Sequence, residues 1–133
     1  ACRYGRLQYR SLRFETEVLD HPNDQGVAIM NFTDTTTPYT RIIEHKHFET
    51  FGDEVYDNPK TVITREYPIN YVPSKSEPYY PINDERNSQL YGRYRKLAAR
   101  ERDVIFGGRL AEYRYYNMDQ VMARAMEAWT EQM

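Results

Sequence analysis

The sequence predicts an α+β fold, an antiparallel β-sheet followed by a helix–strand–helix segment. Three observations carry that expectation. The first half is a series of short runs that alternate apolar and polar residues, broken by "HPND", "DTTTP" and "GDEVYDNP"; such spacing reads as strands joined by turns. The second half opens on the proline-rich "VPSKSEPYYPIN" and then shows apolar residues at helical spacing twice. Between those two patterns lies "VIFGGRL", short and apolar enough for a buried strand.

Taken in order, "LQYRSLRFETEVL" places Leu7 and Tyr9 on one parity and Leu12, Phe14, Thr16 and Val18 on the other. A switch in mid-run predicts a bulge or strong twist near Arg10 and Ser11. "GVAIMNFTD", "PYTRIIEHKHF" and "KTVITREYP" supply three further strands, the last ending at its proline, and the four together predict an antiparallel meander. "VPSKSEPYYPIN" reads as an ordered but irregular connection. In "DERNSQLYGRYRKLAARER", Leu90, Tyr94, Leu97 and Ala98 share one helical face, with Asn83 or Asp84 as the cap. Val104 to Leu110 is the expected strand. The last helix, in "YNMDQVMARAMEAW", carries Val121, Met122, Ala125 and Trp129 on one stripe, and Asn117 with Gln120 fits a capping box at its start.

Composition narrows the function classes. With 133 residues the chain holds one domain's worth of core at most. A net charge of -2 gives no support to a nucleic-acid binder, and no apolar run approaches the ~20 residues of a membrane span. The single cysteine, Cys2, excludes an internal disulfide and fits a reducing cytoplasm. Thirteen tyrosines against one tryptophan suit half-wet clefts, or equally a small sheet packed with tyrosine. The chain begins on alanine, which reads as a processed or excised piece.

Candidate chemistry starts with arginine. Arg10, Arg41 and Arg109 lie in or beside strand-like runs, where a guanidinium fork could take phosphate or carboxylate. Tyr80 in "EPYYP" and Tyr115 in "EYRYYN" are natural hydroxyl partners. Sheet-face arginines paired with neighbouring acids, and tyrosines at a packing corner, are the other reading of the same residues. The helix start at Asn117–Val121, preceded by Gly107, Gly108 and Arg109, is more specific, since open first-turn amides favour an anion. His45 and His47 share one face of the expected strand, but a third ligand would be a guess at His21 or Glu49, so no metal is expected.

Longer stretches carry a resemblance. "LQYRSLRFETE", "NFTD", "PYTRIIEHKHFE", "TVITREYP", "EPYYPIND" and "VIFGGRLAEYRYYNMDQV" resemble UDP-galactopyranose mutase in one order along nearly the entire chain. The resemblance is to the C-terminal part of that family, without the N-terminal FAD-binding turn and the helical domain. It implies a substrate-domain sheet over residues 1–79 and, over 80–133, a segment returning to complete an FAD-binding domain. The family interconverts UDP-galactopyranose and UDP-galactofuranose using reduced FAD as nucleophile, without net redox change, for galactofuranose-containing surface polysaccharide. On that resemblance Arg41 holds the UDP diphosphate and stabilises the leaving group, as the catalytic residue. Asn31, Tyr80, Tyr115 and Arg10 contact substrate. Arg109, Tyr116, Asn117, Met118, Asp119, Gln120 and Val121 contact FAD. Glu44 to His47 are then the wet face of the Arg41 strand. One departure is Asn117, where the family motif reads Tyr-Tyr-Asp-Met. The expectation is a cytoplasmic isomerase fragment, inactive alone, not retaining FAD, with a homodimer as a further partner. A non-catalytic anion- or sugar-nucleotide-binding module is the alternative, and another flavin oxidoreductase a third.

Overall fold

A computed structural model describes residues 2–132. It is α+β, as the sequence predicts. The strands are β1 (Tyr9–Leu19), β2 (Ile29–Asn31), β3 (Arg41–Glu44), β4 (Thr61–Asn70) and β5 (Tyr80–Pro81). They pair in the order β2-β3-β4-β1-β5. Only β2, β3 and β4 form a meander; β1 joins the far side of β4 instead of pairing with β2. The sequence could not show this, because alternation fixes which residues share a face but not which strand is the neighbour. The helices are α1 (Asp53–Tyr56), α2 (Glu85–Ala98), α3 (Gly108–Ala111) and α4 (Met118–Gln132). By its contacts the chain divides into two compact units, residues 12–69 and residues 1–11 with 70–133.

In the unit of residues 12–69, β3 is antiparallel to β2 and to β4. Ile42 and Ile63 are its buried apolar residues. On β1, Thr16 shares a hydroxyl hydrogen bond with Thr64 at 2.9 Å, and Arg65 donates to Glu17 at 2.8 Å. β4 does not stop at Pro68 but runs two residues beyond it.

The largest departure here is "EHKH". The strand ends at Glu44, and His45–His47 forms a 3-10 turn. Nor is it a wet face: Glu44 is 0% exposed and Lys46 is 5% exposed. The Glu44 carboxylate accepts from the amides of Asp24 and Gln25 at 2.9 and 2.8 Å and from the Thr61 hydroxyl at 2.7 Å. His47 Nε2 stands 3.2 Å from its second oxygen. Lys46 Nζ donates to the carbonyls of Pro22 and Asn58 at 2.6 and 2.7 Å. These charges face inward because loop backbone, with its unpaired donors and acceptors, needs them there.

In the unit of residues 1–11 and 70–133, the start of β1 pairs antiparallel with β5, so "EPYYP" contributes a two-residue strand where the sequence reads as irregular. α2 begins as expected: Asp84 accepts from the Asn87 amide at 2.7 Å. Asn87 itself is fully buried, accepting from the Gln8 amide and donating to the Gln8 and Asp84 side chains. Tyr113 is the hub. Its buried hydroxyl accepts from Ile82 N–H at 3.2 Å and reaches the carbonyls of Gln8 and Ile82, while its ring meets Tyr9 and Tyr91. Its φ of 50° turns the chain between α3 and Tyr115, a conformation uncommon outside glycine and held here by those contacts.

"VIFGGRL" is not a strand. Residues 104–107 have no regular structure, and Gly108, at φ 82°, turns the chain into α3. Two physical reasons account for it: a strand needs a partner for its backbone groups, and a left-handed glycine ends an extended run.

Candidate functional site

In the unit of residues 12–69, the cross-strand register lines up Asn31 with Arg41 and Arg41 with Glu66. Directly opposed residues project to the same face, so the three form one row across β2, β3 and β4. Arg41 Nε donates to Asn31 Oδ1 at 2.9 Å, and its Nη1 lies 3.6 Å from Glu66 Oε2. Glu66 is mostly buried, at 10% side-chain exposure, while Arg41 remains 38% exposed. The guanidinium is thus oriented by an amide on one side and a carboxylate on the other, with donors left over for an anion. Asn31 and Arg41 were expected at the site. Glu66 was not singled out, and only the register of β4 against β3 shows that it faces Arg41.

In the other unit, Arg10 and Tyr80 are register partners on β1 and β5, and so share a face. Arg10 donates to Asn70 Oδ1 at 2.7 Å. The Tyr80 ring lies 6.0 Å from that of Tyr115, tilted by 31°, and the Arg109 guanidinium stacks over Tyr115 at 4.3 Å. Tyr80, Tyr115 and Arg109 therefore form a continuous stack of two phenol rings and a cation.

Arg109 also fixes the approach to α4, its Nε donating to the Tyr116 carbonyl at 2.7 Å. Tyr116 is buried, with its hydroxyl committed to the Glu112 carboxylate, so its contribution at the helix start is backbone. The amide of Asn117 takes the Gln120 side chain at 2.9 Å, and the first helical bond runs from Val121 N–H to the Asn117 carbonyl. The amides of Met118, Asp119 and Gln120 precede that bond and are the open donors of the first turn. Both histidines of "EHKH" have protein partners: His45 Nε2 pairs with the Thr64 hydroxyl at 2.8 Å and His47 Nε2 stands against Glu44. Among the described residues no group of three or more histidine, cysteine, aspartate or glutamate side chains is placed to hold a metal ion, and no helix is long and apolar enough to cross a membrane.

Comparison with known proteins decides the family. The family model described as UDP-galactopyranose mutase matches residues 1–115. The chain belongs to the UDP-galactopyranose mutase family. A probable UDP-galactopyranose mutase of Klebsiella pneumoniae is 38% identical over 96% of this chain and 32% of its own length. A UDP-galactopyranose mutase of Mycoplasma pneumoniae is 38% identical over 92% of this chain and 31% of its own. A dTDP-fucopyranose mutase of Escherichia coli is 33% identical over 93% of this chain and 32% of its own. The chain thus spans about a third of the length of the mutases it matches. The names of these similar proteins carry two different nucleotide sugars, UDP-galactopyranose and dTDP-fucopyranose.

Proposed function

We propose that this chain is the C-terminal portion of a flavin-dependent mutase interconverting UDP-galactopyranose and UDP-galactofuranose, contributing diphosphate and flavin contacts and inactive without the remainder. The observation that carries this reading is the Asn31–Arg41–Glu66 row. An arginine held from two sides loses less side-chain freedom when an anion arrives, and it is ready to offset charge on UDP as the bond to the sugar breaks. Glu66 removes part of the local positive charge, which fits a site that must release UDP as well as hold it. Tyr80, Tyr115 and Arg10 supply further donors to substrate.

Reduced FAD fits the second cluster. Open first-turn amides on α4, with Arg109 beside them, favour an anionic ring edge. Arg109, the backbone of Tyr116, and residues Asn117 to Val121 would hold it, with Asn117 and Gln120 fixing the helix start. When bound, that group supplies the nucleophilic chemistry at the sugar without net redox change. The chain alone is not expected to retain it. The same reading brings a cytoplasmic enzyme, a homodimer, and galactofuranose for surface polysaccharide.

The fragment reading is favoured over a free-standing binding module by exposed apolar surface. Ile105 is 63% exposed, and Val104 and Phe106 are about half exposed. With Leu7, Tyr94 and Leu97 they line an open groove of about 1280 Å³. A self-sufficient module would keep such residues covered.

Titration of the chain with UDP by calorimetry, repeated on Arg41→Ala, tests the reading. The variant should bind more weakly by about 1.5–3 kcal/mol, the usual worth of a charge-assisted contact. Equal affinity in the two proteins would remove Arg41 from the diphosphate site.

A further inference from the structure

The "EHKH" stretch lies outside the diphosphate and flavin clusters, yet its first residue is a fully buried carboxylate held by three hydrogen bonds and a histidine. Glu44 ends β3 three residues after Arg41, about 10 Å along the strand at ~3.3 Å per residue, too far to touch the guanidinium. Its contacts go elsewhere. The two oxygens take the amides of Asp24 and Gln25, and the Thr61 hydroxyl and His47 hold the carboxylate from behind. The backbone of Glu44 meanwhile donates to the Ala28 carbonyl at 2.9 Å. One residue therefore grips the approach to β2 by both its side chain and its main chain.

β2 needs such a grip. It is a three-residue strand at the sheet edge, and all three side chains are exposed, so packing does little to fix it. Its hold on β3 consists of Ile29 opposite Ile43, Met30 opposite Ile42 and Asn31 opposite Arg41. A slip of one residue would turn Asn31 to the other face and strip Arg41 of its partner. Beyond Asn31 the hairpin is closed by Phe32 N–H on the Thr40 carbonyl. On the approach side the restraints converge on Glu44 and on Gln25, whose Nε2 donates to the carbonyls of Val27 and Ile42 at 2.8 and 3.3 Å. Lys46 secures the same loop one step earlier, at Pro22.

We propose that Glu44 is a positioning residue for the anion site: by holding the amides of Asp24 and Gln25 it keeps β2 in register, and so keeps Asn31 on Arg41. The proposal rests on the reading of Arg41 as the diphosphate contact, but its structural half can be measured without any ligand. Nuclear magnetic resonance of the 133-residue chain gives the exchange rate of the Arg41 Nε proton, which the Asn31 bond protects.

In Glu44→Gln that proton should exchange at least tenfold faster, while the β4 amides of Ile63 and Thr64 keep their protection. Gln25→Ala, which removes a half-buried side chain bonded to the carbonyls of Val27 and Ile42, should act in the same direction and serves if Glu44→Gln does not fold. UDP affinity should fall at least threefold in either variant and should not fall further when the change is made on Arg41→Ala. An unchanged Arg41 Nε proton in a folded variant overturns the positioning role. So does a loss of affinity that is just as large without Arg41. Failure of the unmodified chain to bind UDP at all instead overturns the reading of this row as a diphosphate site within the chain, and leaves the proton measurement to decide the positioning role.

Discussion

Within each unit, single side chains at buried polar positions hold the structure together. Tyr113→Phe keeps the ring contacts with Tyr9 and Tyr91 but takes the hydroxyl from Ile82 N–H and from two carbonyls. Leaving those groups unpaired should cost about 1–3 kcal/mol in chemical denaturation, with the slope against denaturant unchanged. Glu44 gives a pH dependence. Burial alone pushes its carboxyl up, yet the amides of Gln25 and Asp24, the Thr61 hydroxyl and His47 together hold it below the ordinary value of 4.5. A depressed carboxyl stabilises the fold above its unfolded value, and the contribution is lost as pH falls through the folded one. Acid unfolding followed by circular dichroism should therefore steepen below about pH 4.5, and Glu44→Gln should remove that share of the slope. Neither role could be read from the sequence. "EHKH" follows a strand and carries charge, and nothing in its spacing says that loop amides lie behind it.

Among the elements, α2 and α4 were the most legible, because a cap followed by helical spacing is a local signal. Asp84 and the Asn117–Gln120 pair start their helices where the sequence places them. "VIFGGRL" was misread for the complementary reason. Apolar content marks a segment that prefers to be covered, but a strand also requires a neighbour, and none pairs with it among the described residues. The stripe on α4 shows the same tension. Of the expected residues Val121 is half-buried, but Ala125 is exposed and Met122 and Trp129 are 62% and 67% exposed, and Met118 and Met126 on the same helix are also largely exposed. Met126→Glu should therefore change the stability of this chain by less than about 0.5 kcal/mol, as surface substitutions do. Ile63→Ala, at a fully buried position, should cost about 2–5 kcal/mol. A large loss from Met126→Glu in thermal unfolding would mean that the stripe is covered.

For the whole molecule, fold class came from the change of periodicity halfway along the chain, which is why α+β was legible and strand order was not. Site residues divided in the same way. Asn31 and Arg41 could be named in advance, whereas Glu66 enters only when β3 and β4 are set side by side. Tyr80, Tyr115 and Arg109 could be named, but their stacking depends on the turn that Tyr113 makes. Trp129, the single tryptophan, lies 67% exposed on α4. Its emission should sit at the long wavelength of a hydrated indole and change little when the chain unfolds. A blue shift on mixing with any other protein would then report that this helix face has been covered, so the chain carries its own fluorescent gauge of assembly.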